Sequence, residues 1–249
     1  MEPSTSALLE HPSGLFLQPP DFPGGGGWFA GFTTLRAGGT MEAVLQRLGL
    51  ENLPVFRPKQ VHGSRVLSIT PADDPAAAGV EADGLATGRR GIVLAVASAD
   101  CVPMILFDPA AGAGAVLHAG WRGTVRRMPQ EGVRALRDGW GATPRNVMAL
   151  LGPCIGPCCY RVGEEVVRAF GDEGIAGPDI LRSRGDSSFI DLSAANRLLL
   201  EEVGIPARNI SSSGLCTRCR SDLFPSYRRE GARAGRILAF LGSSPAASA

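Results

Sequence analysis

Between residues 92 and 107 the chain reads IVLAVASADCVPMILF, a run so apolar that its main interruptions are Asp100 and Pro103. A strand with one wet face alternates apolar and polar residues, whereas a strand covered on both faces is apolar throughout. The run is too short and too broken to span a membrane. It therefore predicts strands at 91–97 and 103–107 inside a layered structure, and 114–118 and 147–151 repeat the pattern. Further strands are expected near 28–34, 65–69, 209–213 and 236–241.

Helical stretches alternate with these strands. Met41, Val44, Leu45 and Leu48 have helical spacing, 124–137 can start at a Thr cap, 163–170 is short, and 191–203 opens on Asp191 as N-cap. The reading is one α/β domain, with mixed β-sheets flanked by helices, over residues 28–242. Residues 1–27, rich in turns, are expected to be a flexible start, and 243–249 a tail. A chain of 249 residues that is 44% hydrophobic can bury a sizeable core, while 33 Gly and 19 Pro make it loop-rich.

The charges balance, 25 Lys and Arg against 24 Asp and Glu. Such a chain has no basic footprint for a phosphate backbone, so nucleic acid is not expected as a partner. The N-terminus lacks the positive and apolar regions of a secretory signal, so a cytoplasmic protein without a membrane partner is expected. In that compartment six cysteines are free thiols or metal ligands rather than bridges. Lys59 is the one lysine, which leaves Schiff-base chemistry a single candidate and forked anion recognition many arginines.

Ligand-type residues cluster where apolar strands end. LysGlnValHisGly places His62 before a strand, SerAlaAspCys places Asp100 and Cys101 inside the longest apolar run, and LeuHisAlaGlyTrpArgGlyThr places His118 before a Gly-rich turn. Two imidazoles and one thiolate make a three-ligand set, and three protein ligands leave a fourth tetrahedral position open, the pattern of catalytic zinc. Each residue taken singly also fits a structural role. Arg122, beside His118 and at the start of a helix, suits a phosphate, and Arg36, Gln60 and Arg228 are further substrate-binding candidates. Asp100 is placed to carry a proton, although strand alternation equally allows it to hold groups behind the site. Cys154, Cys158, Cys159, Cys216 and Cys219 include one Cys-x-x-Cys, and four of them could form a structural zinc site. A second Cys-x-x-Cys is missing and GlyProCysIleGlyProCysCys is turn-like, so plain thiols are the expectation.

KQVHG, ADGLAT, SADCVP and HAGWRGT, followed by LGPCIGPCCYRVGEEV, CTRC and FPSYRREG, closely resemble the laccase-domain (polyphenol oxidase-like) family across residues 31–241. The resemblance implies a layered α/β fold and a zinc site on His62, Cys101 and His118. It also implies a purine nucleoside phosphorylase acting on adenosine, inosine, guanosine or methylthioadenosine with phosphate, with adenosine deaminase activity besides. One departure stands near residue 40, where ThrMetGluAlaValLeu arrives without the Asn-containing stretch and GlyAsp turn usual in the family, so a shorter N-terminal wall is expected. The nucleobase-deaminase signature His-x-Glu with Pro-Cys-x-x-Cys is absent. Rival readings are a copper-dependent phenol oxidase, an amidase editing cell-wall peptide precursors, and a metal-stabilised binding module with a closed four-ligand site. Copper can replace zinc on the same ligands, but three histidines are too few for an imidazole-rich copper cluster.

Overall fold

In the computed structural model, residues 8–19, 27–70 and 79–245 are described. Two six-stranded sheets dominate. The first has the order β1 (Leu9–Glu10), β2 (Phe16–Gln18), β3 (Trp28–Thr33), β15 (Ile237–Ser243), β7 (Val93–Ser98) and β4 (Val55–Phe56). The second runs β14 (Ile210–Ser212), β10 (Met148–Leu151), β8 (Val102–Asp108), β9 (Ala113–Ala119), β6 (Gly84–Thr87) and β5 (Val66–Ser68). Both mix parallel and antiparallel pairs.

The uniformly apolar strands are explained by four layers. Phe32, Leu94 and Val96 of the first sheet meet Ile105, Phe107 and Val116 of the second in one buried cluster between the sheets. The alternate residues face outwards. Val93, Ala95 and Phe240 pack under Val44 and Leu45 of α1 (Glu42–Leu48). Met104, Leu106 and Leu117 pack under α3 (Met128–Trp140) and α5 (Leu192–Glu202). The interruption at Ala99 to Cys101 is the place where the chain leaves the first sheet and enters the second, and Asp100 turns there with φ 86°.

Local chemistry accounts for the helix ends. Asp191 caps α5 by accepting the Ala194 N–H at 3.0 Å. The single helix expected over 124–137 is two: α2 (Trp121–Val125) starts earlier, and the chain then turns through Arg127 at φ 60° before α3. Pro129 in the first turn of α3 has no N–H for a continuing helix and fits only near a start.

Two elements escape the apolar pattern. Residues 8–18 of the expected flexible start contain β1 and β2, held to β3 because Phe16 and Leu17 are buried; residues 1–7 and 20–26 lie outside the described set. A three-stranded sheet, β11 (Arg161–Val162), β13 (Ser187–Ile190) and β12 (Leu181–Arg184), is short, rich in Ser and Arg and buried mainly at Ile190, so alternation could not reveal it. Among the described residues no helix is long and apolar enough to cross a membrane.

Candidate metal centre and the cavity above it

Strand register brings the ligand-type residues together. Val102 pairs with Ala119, and Pro103 with His118, which sets Cys101 beside the end of β9. Gly84 pairs with Leu117, so Asp83 arrives on the other flank, where its carbonyl accepts the His118 N–H at 2.8 Å. The loop before β5 folds His62 over this strand end. The His62 and His118 rings then stand edge to face, 5.0 Å apart, and the donor atoms of His62, Cys101 and His118 all lie within 4.8 Å of one another.

Asp83 holds both histidines. One carboxylate oxygen accepts the His62 N–H at 2.9 Å and lies 3.0 Å from His118 Nδ1, whose ring N–H donates to it. The other accepts the N–H groups of Gly63 at 2.7 Å and Val61 at 3.2 Å. This wrapping keeps His62 at φ 58°, a left-handed conformation that a non-glycine residue adopts only under constraint. With Nδ1 occupied, His118 turns Nε2 towards Cys101, the arrangement by which a carboxylate fixes the tautomer of a metal-ligating imidazole. Burial would raise the Asp83 carboxyl, but the bonds from His118, Gly63 and Val61 outweigh it and keep the group ionised.

Proton affinities in the cluster are strongly displaced. Burial would raise the Cys101 thiol, but hydrogen bonds from His118 and His62 bring it down to about 6. Burial would depress His118, but Asp83 and Cys101 together push it up to about 9. The cluster therefore carries a thiolate against an imidazolium, whose proton a metal ion would displace. The donors fit zinc or copper: one sulfur and two imidazole nitrogens, converging, with a carboxylate behind. Gly120 packs closely beside them: a Cβ there would stand 2.7 Å from Cys101 Sγ.

These ligands form the floor of a cavity of about 600 Å³. Of the residues singled out from the sequence, Gln60, Asp100, Arg122 and Arg228 line it. Arg122 lies over the Trp121 ring at 4.2 Å, and among the described residues it makes no ion pair. Its helix, α2, has only five residues. Arg228 reaches over Tyr160 at 5.3 Å and donates to the Arg161 carbonyl at 3.0 Å. Gln60 spends both ends of its amide on the backbone of Ala97, at 2.7 and 2.8 Å. Asp100 is buried with both oxygens engaged. It accepts from the Thr217 hydroxyl at 2.6 Å, the Ser226 hydroxyl at 3.1 Å and the Arg228 N–H at 2.7 Å, so it ties together the loops around Cys101. Arg36 is not among the residues lining the cavity; it sits on a short helical turn, Leu35–Ala37, close to Gly14.

Several residues of the site were not singled out by themselves in the sequence. Asp83, buried behind the ligands, sits in AlaAspGlyLeu just before a strand, the same strand-end setting as the ligands, and that setting could have exposed it. Trp121, Tyr160, Tyr227 and Arg236 line the cavity. Burial, with the Cys101 charge nearby, pushes the Tyr160 phenol up to about 12, so it stays a hydrogen-bond donor. The Arg236 guanidinium is anchored on the carbonyls of Ala234 at 2.5 Å and Gly235 at 2.8 Å.

Residues 38–244 match the family model described as multi-copper polyphenol oxidoreductase laccase. A curated relative named adenosine deaminase RL5, from an unknown prokaryotic organism, is 38% identical over 84% of this chain and 82% of its own length. Purine nucleoside phosphorylase YlmD of Bacillus subtilis is 34% identical over 75% of this chain and 70% of its own. The crystal structure of YlmD from Geobacillus stearothermophilus superposes with a TM-score of 0.83 at 31% identity, covering 96% of this chain and 99% of that one. The chain thus belongs to the multi-copper polyphenol oxidoreductase laccase family, whose named relatives include purine nucleoside phosphorylases and an adenosine deaminase.

Proposed function

We propose that this protein is a zinc-dependent purine nucleoside phosphorylase with adenosine deaminase activity. The observation that carries the reading is the combination of an open three-donor site with a nucleoside-sized cavity whose walls bear arginines and aromatic rings. Zinc bound by His62, Cys101 and His118 supplies Lewis acidity at the cavity floor.

The protein's own groups do the rest. A purine stacks on Trp121, while the Tyr160 hydroxyl donates a hydrogen bond to a ring nitrogen. Arg122, Arg228 and Arg236 converge on the same cavity and hold phosphate through their guanidinium forks, placing it against C1′ of the ribose. In phosphorolysis a phosphate oxygen bonds to C1′ as the C1′–N9 bond breaks, and the electron pair leaves with the purine. Asp100 acts as a positioning residue in this scheme, since it anchors the backbone of Arg228. Arg36, which lies outside the cavity lining, is not assigned a contact with substrate.

Adenosine incubated with the metal-replete protein tests the proposal. Adenine and ribose 1-phosphate formed only with phosphate support phosphorolysis, and inosine supports deamination. Neither product, with Cys101→Ala indistinguishable from wild type, would overturn it. The family description favours a second reading, oxidation of phenols when copper occupies the same ligands; oxygen uptake by copper-loaded protein on a phenol, lost in Cys101→Ala, is its test.

A further inference from the structure

Five of the six cysteines lie outside the His62, Cys101, His118 site, and four of the five converge. Cys154 is buried and stands apart from the cluster. The sulfurs of Cys158, Cys159, Cys216 and Cys219 all lie within 4.8 Å of one another, although the two pairs are about sixty residues apart in sequence. Cys219 Sγ stands 3.6 Å from Cys158 Sγ and 3.4 Å from Cys159 Sγ, and no pair is joined as a disulfide. Four sulfurs at the corners of a tetrahedron around zinc, each about 2.3 Å from the metal, would be about 3.8 Å apart. The two contacts of Cys219 fall slightly inside that spacing, and the whole group lies within a bound that admits it.

The surrounding backbone serves the first sulfur of the Cys-x-x-Cys loop as it would a thiolate. Cys216 Sγ accepts the Gly156 N–H at 3.2 Å and also the Cys219 N–H, so a Cys-x-x-Cys loop closes on its own first sulfur. The Arg220 N–H closes the same loop on the Cys216 carbonyl at 2.9 Å. Gly156 packs closely against the cluster: a Cβ there would meet Cys216 Cβ at 3.3 Å and Cys158 Sγ at 3.4 Å. Arg218 Nη1 lies 3.5 Å from Cys159 Sγ, a cation where a tetrathiolate would carry net negative charge. Cys158 and Cys219 are exposed, which an apolar packing role does not explain, since free cysteine is ordinarily among the most buried residues.

We propose that Cys158, Cys159, Cys216 and Cys219 form a second metal site that takes a zinc-class divalent ion as a closed tetrathiolate. On binding, the thiols release their protons to solvent and four S–metal bonds form, with no position left for water or substrate. The site is structural. It ties the 154–160 loop, which brings Ile155 and Tyr160 to the cavity, to the 215–220 loop, which brings Thr217 to Asp100. A backbone bridge between Cys154 and Cys216 already joins these loops, and the ion would lock them.

Metal stoichiometry on tag-free, full-length protein, reconstituted with zinc and freed of excess by gel filtration, is the test. Wild type should hold two zinc ions per chain, and Cys101→Ala and the double variant Cys216→Ser/Cys219→Ser one each. Cobalt in Cys101→Ala should give the intense sulfur-to-metal absorption of a four-thiolate site, so the test survives if the double variant fails to fold. Removing the metal from Cys101→Ala should make four further thiols react with a mercurial or a disulfide reagent. One zinc per chain in wild type, two in the double variant, cobalt spectra without four-sulfur character, or disulfides among these cysteines in freshly isolated protein would each overturn the proposal.

Discussion

The two sulfur-containing clusters share a neighbourhood and differ in what builds them. His62, Cys101 and His118 come from strand ends whose register is fixed by the central sheet, and a buried carboxylate stands behind them. Cys158, Cys159, Cys216 and Cys219 come from two loops, and backbone N–H groups with an exposed arginine stand behind them. Three mixed donors facing a cavity leave a coordination position for chemistry, while four identical donors close the shell. Donor number and placement, more than the presence of cysteine, separate a reactive site from a clasp.

The largest expected effect breaks the open site outright. Cys101→Ala removes a ligand, so nucleoside turnover should fall by more than the about 100-fold typical of losing a partner behind a ligand, while the circular dichroism spectrum stays native. Unchanged turnover would place the chemistry elsewhere. The metal-free protein gives the next contrast. Cys101, with its thiol brought down to about 6, stays a thiolate at neutral pH and loses alkylation reactivity as pH falls through about 6. Burial, followed by bonds from Cys216, Cys219 and Cys159, holds the Cys158 thiol far above its ordinary value, so at pH 7 it should alkylate much more slowly than Cys101. Iodoacetamide rates resolved by peptide mass mapping check both, and equal rates for the two residues would remove the distinction.

The open site was more legible in the sequence than the clasp for a physical reason. Cys101 and His118 interrupt or end apolar strands, where a polar residue needs a purpose, and His62 stands in a Gly-flanked loop just before another strand. Asp83 carries the same mark, yet a carboxylate beside a Gly-rich turn reads equally well as turn chemistry. The four clustered cysteines occur as one adjacent pair and one Cys-x-x-Cys, and the bridge between Cys154 and Cys216 that unites them is a long-range pairing no local pattern displays. The layered core followed directly from strands apolar on both faces, whereas the hairpin of β12 and β13, exposed along most of β12 and half-buried along β13, buries too little to pattern its sequence. Arg36 has the chemistry for anion binding, but its side chain lies beside Gly14 and it is not among the residues lining the cavity.

A smaller effect tests the support behind the open site. Asp83→Asn keeps the shape of the side chain but removes the charge that orders His62, Gly63 and the His118 ring. Zinc affinity, read by competition with a chromogenic chelator, should fall by about 10- to 100-fold. Metal bound at the cysteine clasp should be unaffected, and loss from both sites together would mean that the substitution had unfolded the chain.

The smallest effect is steric. Gly120 has φ −76°, which any residue adopts, so Gly120→Ala strains no backbone torsion. Its methyl would meet Cys101 Sγ at 2.7 Å, and either the sulfur or the turn before α2 must move. Overpacking of this kind costs about 1–3 kcal/mol. Because the clash falls on a metal ligand, weaker zinc binding and lower turnover are expected together. Gly156→Ala is the matching change at the clasp, where the contacts of 3.3 and 3.4 Å are looser. It should leave turnover nearly intact and loosen only the second ion. A reversal of this pattern, with turnover sensitive at Gly156 and indifferent at Gly120, would exchange the roles assigned to the two clusters.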